Sequence, residues 1–500
     1  MRGILLSVHG ALWGVPMLLL ILGVGLRIMV QAGFPQITLF PDALTSFVRK
    51  LRTRNTSSGV SPFRALCTAL GATVGTGNIV GVAGAICLGG PGSIFWMWVC
   101  GIVAMGTKFA EATLAVRYRV KTDTDILGGP MYMISTRLGK NWQKLAVMYS
   151  LFGLVASFGV GNAVQINALV CGINSVLPLF DKAESMQWNL AFGLILSVMV
   201  GSVLLGGVKR IGSAAELLVP AVSVFYMVLC IWVLILRRDC LADALERILR
   251  GAFSPEAVTG GVVESAFQAL RIGCCRGVFT NEAGMGTASI AHGSAEVSHP
   301  VEQGLMGIME VFLDTIVLCT MTALVILVSG VPVPYGRDGG GTLTMEAFSS
   351  VCGHWATAAL AAALGCFAFA TVLGWGLYGV RCAQFLFGES AWEPFAMAQT
   401  LAVVAGAALK TEIIWLLAEL FNGLMAIPNL FVLAALTPEL GRLTKEYKKK
   451  SGGPAAEGGN YADFHQCQPL RALSHEKVPS LRGGGGSAGK KDLSSEYRSA

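Results

Sequence analysis

Charge is what this sequence has least of. Charged residues fill 13 % of its 500 positions while hydrophobic residues reach 54 %. A typical soluble domain is about 25 % charged. So few charges cannot clothe a water-facing surface on a chain this long, so most of it must face lipid. A soluble enzyme, a nucleic-acid binder and a secreted disulfide scaffold are therefore excluded. The net charge of +7 does not restore a nucleic-acid partner, because Lys and Arg fall in short clusters between apolar runs, where they set membrane orientation. Metal-ligand spacing is also lacking. The 13 Cys are scattered, mostly within apolar stretches (Cys87, Cys100, Cys171, Cys230, Cys319), where a thiol acts as a small hydrophobe. A bond between the adjacent Cys274 and Cys275 would be strained. No nucleophile–base pairing stands out, so no catalytic residue and no cofactor is assigned.

Long apolar runs are abundant. About 20 apolar residues span the hydrocarbon core, and stretches of this kind fall at 11–33, 62–88, 92–117, 145–176, 188–207, 213–236, 258–291, 303–330, 353–387, 393–410 and 412–436. The expectation is an all-α polytopic membrane protein with about eleven transmembrane helices. The first run follows only Arg2 and precedes no small-residue cleavage site, so it reads as a retained helix rather than a signal peptide.

Loop charge fixes the orientation. One set of alternate loops carries Arg49, Lys50, Arg52 and Arg54, then Arg117, Arg119, Lys121, Arg137, Lys140 and Lys144, then Lys209 and Arg210, and last Arg442, Lys445 and Lys448 to Lys450. The opposite set offers chiefly Lys182, Arg237, Arg238, Arg247, Arg250, Arg337 and Lys410. The richer set belongs inside. The C-terminus is then cytoplasmic and the N-terminus outside. In the loop 237–256, Leu241, Leu245, Ile248 and Leu249 recur at helical spacing, which predicts a short amphipathic helix capping the outer surface. The Gly-, Ser- and charge-rich residues from about 451 onward are expected to be a disordered tail.

Two apolar segments are interrupted. Gly71–Asn78 carries three glycines within seven residues ahead of Asn78, and the seventh segment contains Arg271, Ile272, Gly273, Arg276 and Gly277. Glycine disfavours a continuous helix, and lipid offers no partner to an opened backbone, so each break must line an enclosed cavity. The bare amides of a half-helix suit a carboxylate, and unwound carbonyls suit a small cation. Gly77 and Gly81 also form a small-xxx-small pair, which suits close helix packing. Their spacing does not match a dinucleotide fingerprint. With the first span peripheral, the rest divides into two groups of five, each opening on a broken helix. An odd number per group forces opposite topologies, a 5+5 inverted repeat. The boundaries are 1–61 for the peripheral helix and inner loop, 62–211 and 212–257 for the first repeat with its outer loop, 258–440 for the second, and 441–500 for the tail.

The stretches GTGNIVGVAGAICLGGPGSIFWMWVCGIVAMGTKFAEATLAVRYR (75–119), RIGCCRGVFTNEAGMGTASIAH (271–292), FAFATVLGWGLYG (367–379) and FNGLMAIPNL (421–430) resemble the alanine or glycine:cation symporters, also called sodium:alanine symporters. The resemblance covers about 11–445. It implies a leucine-transporter-like fold with one extra N-terminal helix, and sodium-driven uptake of a small amino acid such as alanine or glycine through the plasma membrane. It further implies that the amides of Thr76, Gly77 and Asn78 hold the substrate carboxylate, that Gln165 contacts the substrate, that the Ile272 carbonyl accepts from the ammonium, and that Trp375 closes over the side chain. Gly71 and Val74, with Phe367 and Thr371, would hold sodium. Interhelical hydrogen bonding remains open for Gln165 and Asn167, and an ordinary core place for Trp375. The sequence departs from the family's pattern at Ala370, where a second Thr is expected, at Val380 in place of an acidic residue, and at Glu419 where Asp is more usual.

Other intramembrane polar groups are candidates because burial makes them costly. Lys108 and Glu111 share a helix face and are expected to pair. Arg276, Asn281 and Glu282 flank the seventh segment and would gate or brace it. Asp314 suits either proton coupling or a buried hydrogen bond. His292 and His299 are assigned no metal. Proton coupling, a channel or a non-transporting amino-acid sensor remain as alternatives.

Overall fold

The computed structural model describes residues 2–52, 60–122, 125–174, 176, 185–263, 265–337, 340–408, 412–451 and 468–469. It opens with α1 (Arg2–Leu12), α2 (Val15–Ala32) and the amphipathic α3 (Phe40–Arg52). Ser61 then caps α4 (Pro62–Thr73) by accepting from the Arg64 amide, with Pro62 at the first helical position. A π turn at Gly77–Gly81 leads into α5 (Val82–Gly89), followed by the long α6 (Gly92–Arg117). Next, α7 (Gln143–Phe158) and α8 (Val164–Asn174) are joined by a second π turn, Gly159–Ala163. Then come α9 (Met186–Leu204), α10 (Gly207–Leu236) and α11 (Leu241–Phe253).

The second half begins with α12 (Ala266–Asn281), capped by Ser265, and the short α13 (Thr287–Gly293). A further π turn, Phe312–Cys319, joins α14 (Pro300–Val311) to α15 (Thr320–Val328). The chain continues through α16 (Gly340–Cys352), α17 (His354–Phe387), α18 (Trp392–Ala408) and α19 (Glu412–Ser451). Three two-residue strands, β1 (Val120–Lys121), β2 (Ile126–Leu127) and β3 (Gln468–Pro469), form a sheet of order β2-β1-β3.

Among the described residues, eight helices are long and apolar enough to cross a bilayer, or nine if α4 and the Gly77–Gly89 segment, bent by 51° at their junction, form one span. The interrupted α12–α13 pair and the 17-residue α18 stand beside these. Helix α6 is the axis. Of its most apolar stretch 83 % is buried, against 33 % for α9 and for α10, whose Leu194, Ile195, Val198, Ile231 and Trp232 point outward as lipid contact requires. Around α6 pack α11, α12 and α14, while α17 lies against α4 and α7.

Two expectations are corrected and a third is refined. The seventh segment does not break at Arg271–Gly277, where α12 is continuous. Those glycines serve packing: a Cβ at Gly273 would lie 2.2 Å from the Ser93 carbonyl oxygen, and one at Gly277 would lie 3.7 Å from Met97 and Cys100. The interruption comes later, over Glu282–Gly286, where Glu282, Gly284 and Gly286 have φ of 54°, 89° and 81°. The outer helix α11 buries Ala244, Ile248, Gly251 and Ala252 against α6, leaving Leu245 and Leu249 exposed. Its glycine backbone meets that of Gly92, a contact only small residues allow. The last helix runs on to Ser451 through Pro428 and Pro438, so 441–451 is helical rather than tail. The remaining tail, apart from β3, lies outside the described residues, as do Arg54, Lys182 and Lys410.

Candidate functional site

At the first break Val74 leaves the helix with ψ 105°, while its amide still closes the last turn on the Leu70 carbonyl. Asn78 then folds back, its Oδ1 accepting from the Gly75 amide at 2.9 Å. Its Nδ2 donates to the Asp314 side chain at 2.7 Å and the Asp314 carbonyl at 3.1 Å. The Asn78 side chain is thus spent on holding the break, and Asp314 gains a partner that sequence did not reveal. Thr315 supplies a second donor, its hydroxyl, to Asp314 at 2.8 Å, and Asn281 in turn donates to Thr315 at 3.2 Å.

Gly77 and Gly81 both face Thr280 of α12. A Cβ on Gly77 would stand 3.0 Å from the Thr280 methyl, and one on Gly81 4.0 Å. The packing role open to these glycines is therefore filled, with the break and α12 in direct contact. Thr76 donates to Gln165 Oε1 at 3.2 Å, and Gln165 donates to the Val160 carbonyl at 3.1 Å. That carbonyl sits in the π turn before α8, where the widened ladder frees an acceptor.

On the other side, Thr371 of α17 places its hydroxyl 3.0 Å from both the Gly71 and the Phe367 carbonyl oxygens. A Cβ on Gly75 would lie 2.8 Å from the same hydroxyl and 3.4 Å from Gln165 Oε1. Gly71, Phe367 and Thr371 are therefore gathered with Thr76 and Gln165 into one buried group of neutral oxygens, the donor type a hard monovalent cation takes. Val74 caps the same turn. Ala370, the departure noted from sequence, stands beside Gly71, its carbonyl 3.6 Å from where a Cβ there would sit.

Trp375, one turn further along α17, is fully buried and donates to Glu282 Oε1 at 2.9 Å, while Thr287 donates to the other oxygen at 2.7 Å. Its Cβ would lie 2.2 Å from a Cβ on Gly161, so only glycine admits the indole at that turn. The second break thereby reaches the first through Glu282, Trp375 and the α7–α8 junction. Ile272 is set apart. It lies inside continuous α12, its side chain against Gly89, beside a 170 Å³ cavity shared with His9, Trp13, Arg276 and Glu419. There Glu419 bonds His9 at 2.6 Å, and Arg276 stands 3.9 Å away, bracing α1 rather than the break.

The expected Lys108–Glu111 pair is corrected. The two share a face of α6 but turn to different partners. Lys108 bonds Glu310 of α14 at 2.8 Å, and His292 takes the second Glu310 oxygen at 2.9 Å. Glu111 instead accepts from the amides of Gly284 and Gly286, each at 3.0 Å, and from Asn429 at 2.7 Å. Sequence singled out neither Glu310 nor Asn429; an acidic residue in α14 and an Asn in α19 were the available signals. Burial pushes His299, just ahead of α14, down to about 4, with Lys450 adding to the effect. No group of three or more His, Cys, Asp or Glu suited to a metal is found among the described residues.

A 730 Å³ cavity opens among the loops at one end of the bundle, lined among others by Lys121, Lys209, Ser294, Arg381 and Trp392. Arg381 closes its floor, paired with Asp125 at 2.5 Å and lying 5.6 Å from the Trp392 ring centre.

The chain is similar to known proteins over most of its length. The model of the sodium:alanine symporter family matches residues 1–457. An uncharacterized transporter of Haemophilus influenzae is 40 % identical over 89 % of this chain and 96 % of its own. The sodium/alanine symporter AgcS of Methanococcus maripaludis is 37 % identical over 89 % and 96 %. The probable sodium/glutamine symporter GlnT of Bacillus subtilis is 35 % identical over 88 % and 90 %. Among solved structures, that of MhsT in complex with L-phenylalanine superposes with a TM-score of 0.53, covering 78 % of this chain and 99 % of that one at 15 % identity, which speaks to the fold alone. A multi-pass membrane chain with two interrupted helices meeting at a buried group of oxygens, matched over nearly its whole length, belongs to the sodium:alanine symporter family.

Proposed function

We propose that this protein carries a small neutral amino acid, alanine or glycine, inward with sodium by alternating access. The family and its relatives are cation-coupled amino-acid transporters rather than enzymes; the substrate, the ion and the geometry of binding are this proposal. One observation carries it. The Thr371 hydroxyl between the Gly71 and Phe367 carbonyls lies next to Gly75, Thr76 and Gln165, so a cation ligand set and a backbone break share a wall.

Sodium would take the oxygens of Gly71, Val74, Phe367 and Thr371. The amino acid would set its carboxylate on the amides of Thr76, Gly77 and Asn78, with Gln165 as side-chain contact. Ile272 is left without a part, because it lies away from both breaks, its side chain against Gly89 and beside the cavity of His9 and Glu419. A cation that neutralises opened carbonyls favours the same bent backbone that presents amides to a carboxylate, so each ligand raises the other's affinity by one common factor. Trp375, wedged against Gly161, leaves little room and favours a short side chain.

The proposed topology has eleven crossings, counting α12–α13 and α18, arranged as a 5+5 inverted repeat behind one extra helix. The N-terminus is then outside and the C-terminus cytoplasmic, in the plasma membrane. That orientation puts the cavity floored by Arg381 on the cytoplasmic side.

Labelled-alanine uptake into proteoliposomes tests this. Accumulation should need an inward sodium gradient, vanish when choline replaces sodium at constant pH, and be competed by glycine more than by leucine or glutamine. Uptake that follows a proton gradient without sodium, or downhill flux without accumulation, would refute sodium symport. Efficient leucine competition would refute the small pocket.

A further inference from the structure

Helix α13, the inner half of the interrupted seventh segment, is poor in apolar anchors. Its sequence Thr287–Gly293 has one large hydrophobic side chain, Ile290. Gly293 lies so near Gly128 that a Cβ on it would come within 2.6 Å of the Gly128 Cα, which leaves no space for a bulkier wedge. Polar contacts hold the helix instead. A single oxygen, Glu111 Oε1, accepts from the amides of Gly284 and Gly286 and from Asn429 Nδ2, and Asn429 also donates to the Gly284 carbonyl at 2.9 Å. Ser289 donates to the Glu111 carbonyl at 3.3 Å, and His292 reaches Glu310, which Lys108 also holds. Glu111 Oε2 and Asn429 Oδ1 are buried and accept from no donor among the described residues. Both amides that Glu111 grips belong to glycines at positive φ, a region glycine enters freely along with many others, so the clasp selects one conformation of a turn that its glycines leave free.

We propose that Glu111 is a positioning residue, a latch that fixes the Glu282–Gly286 turn and α13 and so keeps the cytoplasmic side of the transport site shut. It acts through the turn, which carries Glu282 and hence Trp375. The carboxylate suits a reversible latch. All its donors sit on elements other than its own helix, so a small displacement of the Glu282–Gly286 turn and α13 parts it from two amides at once. The transport half of this inference rests on the function proposed above.

The test uses full-length protein in lipid vesicles, as wild type, Glu111→Gln and Glu111→Ala. Gln keeps an acceptor oxygen and Ala none. Amide hydrogen exchange over 283–294 should rise at least tenfold in Glu111→Ala and stay within about threefold of wild type in Glu111→Gln, with 300–328 unchanged in both. Vmax for sodium-driven alanine uptake should fall at least tenfold in Glu111→Ala, with KM moving less than threefold. Wild-type exchange over 283–294 in Glu111→Ala would overturn the latch, as would an equal rise over 300–328, a Gln variant no better than Ala, or a higher KM at unchanged Vmax. Should Glu111→Ala fail to fold, Asn429→Ala, which removes the third donor and the bond to Gly284, is read by the same criteria. If wild type shows no sodium-dependent uptake, the proposed function fails while the exchange measurement still decides the latch.

Discussion

Replacing Thr371 by Val separates the proposed cation binding from everything else at the site. Valine keeps the volume and the β-branch, so α17 and its contact with α4 persist. Only the hydroxyl between the Gly71 and Phe367 carbonyls is lost. Phe367 keeps its helical amide donor, so the folded state loses about one neutral hydrogen bond, about 1 kcal/mol. The cation loses one of four proposed ligands. An oxygen bonded to a charged group is worth about 1.5–3 kcal/mol, or about 10- to 150-fold in affinity. The half-saturating sodium concentration for alanine uptake should therefore rise by about that factor. At saturating sodium Vmax should recover, and alanine affinity at low sodium should fall by the same factor. Thr371→Ser should stay near wild type. The assay is initial-rate uptake in proteoliposomes over a sodium titration at fixed ionic strength, with the thermal midpoint as a check on folding. An unchanged sodium dependence in a folded Thr371→Val protein would refute the ligand assignment, and so would a Ser variant as impaired as Val.

Other substitutions probe separate parts of the molecule. Gly77→Val places a branched side chain 3.0 Å or less from Thr280 and in the approach proposed for the carboxylate, so uptake should be abolished; normal transport would move the site elsewhere. Trp375→Phe keeps an aromatic wedge but loses the bond to Glu282, and uptake should fall at least tenfold while the thermal midpoint in detergent changes little; wild-type uptake would make the bond incidental. Lys108→Met leaves Glu310 buried without its cation and should cost about 3–5 kcal/mol, seen as a lower thermal midpoint. Adding Glu310→Gln should recover much of that loss, and a double variant no better than the single would show that the pair is not the source.

How much of this was legible beforehand depended on which physical signal each feature left. The spans around α6, α9, α10 and α17 follow from composition, because lipid tolerates little else. The first break was legible because Gly71, Gly75 and Gly77 crowd the two turns ahead of Asn78. The second was misplaced because Gly273 and Gly277 look the same in sequence but let α12 approach α6 closely. What distinguishes the true break is positive φ at Glu282, Gly284 and Gly286, and sequence offers only the glycines of NEAGMG as a hint. Lys108 and Glu111 were correctly put on one face, yet a helix face does not disclose which neighbour it meets. Their partners Glu310 and Asn429 lie about 200 and 318 positions away along the chain.

The π turns have a consequence for how the site can change. Each amounts to one extra residue spliced into an α-helix, and every residue past it is rotated by about 100° relative to an uninterrupted helix. The turn at Gly159–Ala163 sits directly ahead of Gln165. Removing a single residue there would let the helical ladder close and turn all of α8, swinging Gln165 off the wall it shares with Thr76 without exchanging any side chain on that wall. The chemistry of that wall thus hangs on chain length as much as on residue identity, and a one-residue deletion is a sharper tool for dismantling it than any exchange of side chains.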